Sequence, residues 1–433
     1  MLQTIINALK VKEIRRKVYM MLLLLLIFRI GCFIPVPGLD RSKFSEIIGG
    51  NDFLSLMSSI TGGALSQGTL FALGIGPYIN ASIIMQLLSV GIPALERLSK
   101  QGEEGRKKIA QYTRYVTIIL AVLQSVGIIV NFGNEAIVDA HFFNQPWLAG
   151  LFMTVVYTAG AFIVMWLGER ITDYGVGNGQ SMIIFVGILA TAGAAIVDQF
   201  KLAFSGDMTA LWGLIAFALV SAVIFFAIVY VDLSERKVTV QYAKQIKGRK
   251  MYGGQSSNIP IRISGGGVMP LIFAFSILSF PQMIASMFWP NSGFATWWAN
   301  WMSASAEGWG AVVYTLVLCV LIFAFSFFYA QMQFNPEDVS KNIQQNGGFI
   351  QGIRPGKATE NYLKKISNRI TLFGAIYLSL VAFIPSVAFA WANLSLVNVF
   401  STTGILIIVS VAMEFEKQLQ GQLMMKNYKG FLK

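Results

Sequence analysis

Apolar residues fall along this chain in long blocks separated by short polar connections. Runs at 19–37, 69–92, 115–132, 147–168, 211–231, 268–289, 309–331, 370–390 and 394–413 come close to or exceed the about 20 helical residues that cross a bilayer core of about 30 Å. A tenth run, 181–197, lies at the short end of that range. Ten spans put both termini on the same side of a membrane. The segment 52–67, DFLSLMSSITGGALSQ, breaks the pattern: it is moderately apolar, rich in Ser and Gly, and too short to span. Following an external loop and leading into the second run, it predicts a short helix that dips into the membrane from outside. Irregular backbone at that depth survives only under protein or beside a water-filled cavity.

Charge decides the orientation. Of the 33 Lys and Arg residues, five precede the first run, six lie between the second and third, and one between the fourth and fifth. Seven more lie between the sixth and seventh, six between the eighth and ninth, and four in the tail. All of these fall on one side. The opposite side has Arg41, Lys43 and Lys201, and Arg29 lies within the first span. Cytoplasmic loops carry the Lys/Arg excess, so the termini and the large loops at about 232–263 and 333–369 are placed in the cytoplasm. With 55% hydrophobic and 12% charged residues and a mean hydropathy of +0.62, most of the chain cannot face water. The net charge of +12 therefore reads as topology before it reads as nucleic-acid binding.

The material for chemistry is sparse. Cys32 and Cys319 each sit in an apolar run and read as small buried hydrophobes, with no disulfide framework or thiolate metal site. His141 is the one histidine. Neither a Ser–His pair, paired intramembrane Asp, nor HExxH is present, so no intramembrane hydrolase is predicted, and no cofactor. Gly265–Gly267 lacks the preceding strand and following Lys–Ser/Thr of a phosphate loop. A secondary transporter would share the span count but would bury carboxylates near the midplane. Arg29 is nearly the only ionisable group inside a span. It reads either as a cation pairing across the bundle or bordering 52–67, or as one snorkelling outward.

Six segments in order carry a resemblance. They are FRIGCFIPVPG (28–38), GGALSQGTLFALGIGPYINASIIMQLL (62–88), KQGEEGRKKIAQYTRY (100–115), MWLGERITDYGVGNGQS (165–181), QYAKQIKGRKMYGGQSS (241–257) and FNPEDVSKNIQQNGGFIQGIRPG (334–356). Together with the ten-span topology they resemble the SecY family of protein-conducting channels. The resemblance implies an all-α membrane protein of ten helices in two pseudo-symmetric halves, 1–199 and 200–433, with a re-entrant plug at about 52–67. A lateral gate between the second and third spans and the seventh and eighth would release hydrophobic segments into lipid. It implies no enzyme activity. The implied partners are SecE and SecG subunits, the SecA motor, the ribosome, unfolded preproteins and anionic lipids.

The same resemblance implies a pore ring of Ile75, Ile79, Gln180, Ile184, Ile272 and Ile407. Ile75/Ile79 and Gln180/Ile184 are each four apart, one helical face. An apolar waist suits a conduit that must bind no passing chain strongly, although ordinary packing would explain any single isoleucine. Gln180 departs from the apolar residue that the family places after Gly-Asn-Gly. In the cytoplasmic loops, Arg249, Lys250 and Arg354 match positions that dock motor or ribosome. There, cations can meet carboxylates or RNA phosphates. Positive-inside topology and attraction to anionic lipid account for part of that charge.

Overall fold

The computed structural model describes residues 2–49, 57–58, 60–99, 101–136, 146–204, 208–242, 245–247, 250–252, 256–263, 269–289, 292–303, 309–392 and 402–430. A helix overlaps each of the ten apolar runs. In order these are α2 (Lys12–Gly31), α4 (Gly76–Gly91), α6 (Glu103–Ala136), α7 (Pro146–Tyr174), α8 (Gly179–Phe204), α9 (Met208–Asp232), α10 (Met269–Phe288), α12 (Trp309–Gln333), α14 (Lys357–Ala392) and α15 (Thr402–Gly430). Shorter helices are α1 (Leu2–Lys10), α3 (Arg41–Gly49), α5 (Pro93–Ser99), α11 (Gly293–Trp301) and α13 (Pro336–Gln345). The chain forms two compact units, one of Met1–Phe217, Phe275–Tyr314 and Asn393–Lys433, the other of Ala218–Ala274 and Thr315–Ala392.

In the first unit α6 packs along α7 and against α4, α7 packs on α2 and α8, and α15 lies on α8. Their shared core includes Val36, Phe44, Leu65, Leu73, Met153 and Tyr157, all buried. Between lipid-solvated helices such packing works through close van der Waals fit rather than expulsion of water. At the polar end, α1 folds back onto α15. Ala8, Ile14, Val176 and Leu419 form a small buried cluster, and Thr4 Oγ1 donates to Glu416 Oε1 at 3.4 Å.

The second span is helical over less of its length than the apolar run 69–92 predicts. Helix α4 starts only at Gly76, with Pro77 in its first turn, where a missing N–H costs nothing. Residues 61–75 form successive turns. Gly74 explains the break: its φ is +54°, and a Cβ there would stand 2.7 Å from Thr61 Cγ2. The irregular backbone finds partners in the chain leaving α2. Val36 N donates to Gly68 O at 3.2 Å and Leu70 N to Ile34 O at 2.9 Å, around a bridge between Pro35 and Thr69. At its other end α4 stops at Ile92, held extended before Pro93, and α5 leaves at 104°.

The second unit contains structure that the membrane prediction did not include. The loop after α9 forms a hairpin of β1 (Glu235–Tyr242) and β4 (Ser256–Arg262), antiparallel with Val238 opposite Ile259. Between them lie β2 (Gln245–Lys247) and β3 (Lys250–Tyr252), paired with each other. Strand β5 (Gly348–Phe349) joins the free edge of β1. Val238, Val240 and Ile261 point inward onto Ile343 of α13, Ile350 and Leu363 of α14, all buried. Outside the bilayer, burying each such side chain contributes about 1.5–3 kcal/mol. Thus the spans are all-α as predicted, and parts of the loops at 232–263 and 333–369 together form a small α/β module.

Candidate functional site

Four of the six predicted waist residues sit at helix starts in the first unit. Ile75 is the residue before α4 and is buried, with 4% exposure; Ile79, one turn on, is partly buried. Ile79 N donates to Ile75 O at 3.1 Å, so the two side chains stack on one helical face. Gln180 and Ile184 occupy the first two turns of α8 in the same relation, Gln180 partly buried and Ile184 buried. Asn178 sets that start: its Oδ1 accepts from Gln180 N at 3.0 Å, a cap on the exposed amides of the first turn. Ile407 is buried on α15, which packs against α8. Ile272 is buried on the first turn of α10, in the second unit. Five of the six therefore fall in one compact unit, four of them at or near the ends of helices where the chain enters α4 and α8.

The segment 52–67 is described from Met57 onward, except Ser59; residues 52–56 lie outside the described residues. Met57, Ser58 and Ile60 are helical, and turns begin at Thr61. The turn is closed by Gly63 N donating to Ser58 O at 2.8 Å and by Ser66 N donating to Ser58 Oγ at 3.1 Å. Arg29, on the last turn of α2, donates from Nη1 to Gly62 O at 3.3 Å, and its guanidinium lies 5.2 Å from the centre of the Phe33 ring. Of the readings of Arg29, bordering 52–67 is the one the geometry supports.

In the second unit Arg354 is exposed in a tight turn between β5 and α14. Two hydroxyls fix that turn. Thr359 Oγ1 donates to Arg354 O at 2.9 Å, and Ser340 Oγ donates to Gly356 O at 2.9 Å. Gly356 has φ +97°, a conformation that other residues rarely adopt. The turn borders an open groove of about 550 Å³ lined by Gln344, Gly348, Phe349, Ile353 and Pro355 among others. No carboxylate pairs with Arg354 among the described residues, leaving its fork open to an outside acceptor. Lys250 begins β3, and Arg249 lies outside the described residues.

One pair escapes a reading by motif. Arg114 on α6 forks onto Glu169 on α7 through two hydrogen bonds of 2.8 Å. The two residues are 55 positions apart, yet each stands in a segment singled out for its family resemblance. Such a bidentate pair fixes the angle of two helices where they leave the membrane.

A family model for SecY matches residues 69–416. Curated proteins named protein translocase subunit SecY align with the whole chain. The one from Streptomyces galbus is 40% identical over 100% of both chains. The one from Escherichia coli K12 is 40% identical over 97% of this chain and 94% of its own. Among solved structures, a SecY whose plug domain stabilises the closed state and maintains a membrane seal superposes with a TM-score of 0.68 at 22% identity, covering 94% of this chain and 92% of that one. Sec61 in the canine ribosome–channel complex gives 0.64 at 20% identity with the same coverages.

Proposed function

The chain belongs to the SecY family, and from that membership we propose that it is the channel-forming subunit of a bacterial plasma-membrane translocase. It moves unfolded preproteins across the membrane and releases hydrophobic segments sideways into lipid. The end-to-end 40% identity to translocase subunits carries the proposal. In this reading Ile75, Ile79, Gln180, Ile184, Ile272 and Ile407, matched by family correspondence, form the waist. The segment 52–67 is the plug. SecE and SecG complete the complex, and the two halves 1–199 and 200–433 follow the family's division.

The loops at 232–263 and 333–369 are the docking surface for SecA or the ribosome, with Arg249, Lys250 and Arg354 as contacts. Arg354 is the strongest of these, because a turn pinned by Ser340 and Thr359 presents its guanidinium with no competing carboxylate among the described residues. The charge distribution supports cytoplasmic termini and contact with anionic lipids.

Conditional depletion of the protein tests the proposal. Preproteins with uncleaved signal sequences should accumulate inside the cells before growth slows. Normal processing throughout depletion would contradict it.

A further inference from the structure

We infer that Arg29 is a positioning residue for the channel's seal: it holds the hinge through which the plug joins the second span. The inference rests on reading 52–67 as the plug. Backbone 60–62 lies in a slot with two walls. On the α2 wall, Arg29 Nη1 donates to Gly62 O at 3.3 Å, and the Cys32 thiol points at Thr61 O from 4.0 Å. On the α8 wall stands Gly187: a Cβ there would meet Ile60 O at 2.4 Å. A Cβ on Gly62 would stand 2.5 Å from Arg29 Nη1 and 3.1 Å from Gly187 Cα. Main chain thus passes between a cation and a bare helix backbone, at a distance that only glycines allow.

The chemistry suits a seal that must open. A cation inside a membrane segment is costly, and Arg29 has no carboxylate partner among the described residues. Its partners are one carbonyl and the face of Phe33. A carboxylate would lock the hinge. A single carbonyl can be exchanged for water as the pore fills, so the grip is firm in the dry closed state and weak in the wet open one. Arg29 in this role acts through the plug and touches no passing chain.

Resting ion conductance of the complete, co-purified translocase in planar bilayers tests this. Arg29→Met should raise the resting leak on the order of tenfold, the population shift expected from losing one hydrogen bond to a charged donor. Arg29→Lys, which keeps the charge and a donor, should restore most of the seal, a rescue that a merely space-filling role would not show. Gly187→Ala, from the opposite wall and without any change of charge, should also leak. Export of a signal-bearing preprotein should persist in all three. If Arg29→Met does not assemble, Arg29→Gln takes its place and should leak severalfold. A wild-type seal in the assembled Met or Gln variant, beside a leaking deletion of 53–66, would overturn the role of Arg29 alone. A tight seal in the deletion itself would overturn the plug reading and this inference with it.

Discussion

Replacing Ile79 with Ser should wet the closed pore. The change removes three apolar carbons and adds a hydroxyl, and each buried methylene is worth about 0.8 kcal/mol against contact with water. Full exposure to the lumen would give about 2.4 kcal/mol. Ile79 is partly buried, so roughly half of that, about 1.2 kcal/mol, bears on the lumen, which corresponds to about a sevenfold rise in the wetted population. An apolar constriction closes by dewetting, so the rise should be read directly as resting conductance in planar bilayers. Ile79→Val removes one carbon and should change conductance by less than about twofold. Ile75→Ser, one turn earlier on the same helical face, should raise conductance in the same direction, and at 4% exposure it should also lower the yield of assembled complex. Conductance of Ile79→Ser within twofold of wild type, in a complex assembled at normal yield, would refute the placement of Ile79 at the waist.

Arg354→Glu should block motor-driven export while the protein still inserts and co-purifies with its small partner; normal SecA-dependent transport of a preprotein into vesicles would remove the assignment. Gln180→Ile should act opposite to Ile79→Ser, lowering resting conductance and tightening rejection of preproteins with defective signal sequences, and an increased leak would place Gln180 away from the lumen. Leu363→Ala opens a cavity in the core under the β1–β4 hairpin at a site with no exposure, at a cost of about 2–5 kcal/mol. Limited proteolysis should then cut 242–256 faster while membrane insertion is unaffected; an unchanged cleavage rate would mean that the module does not depend on that core.

The spans were legible because a bilayer imposes a length: blocks such as 211–231 admit no other structure, and the basic loops orient them. The turn proposed for docking was legible as GIRPG, and Thr359 follows it closely in the chain, but its other hydroxyl pin, Ser340, comes from α13, which the sequence does not place beside it. The hairpin was written in Val238-Thr239-Val240, an alternation of period two, but a loop dense in Lys and Arg reads first as solvated charge. The late start of α4 was hidden for a different reason. TLFALGIG is apolar enough to pass as helix, and only the contact between Gly74 and Thr61, set by tertiary packing, shows why it turns. Arg114–Glu169 and Gly62–Gly187 were invisible because each joins residues far apart in sequence through helix packing that hydropathy does not report.

The waist itself is tested most directly by contact with a moving chain. In a background without Cys32 and Cys319, single cysteines at Ile79 and Ile407 should each crosslink to a preprotein stalled in transit, and cysteines at Ala81 and Val409, turned to other faces of the same helices, should not. Crosslinks at Ala81 and Val409 with none at Ile79 and Ile407 would contradict the account.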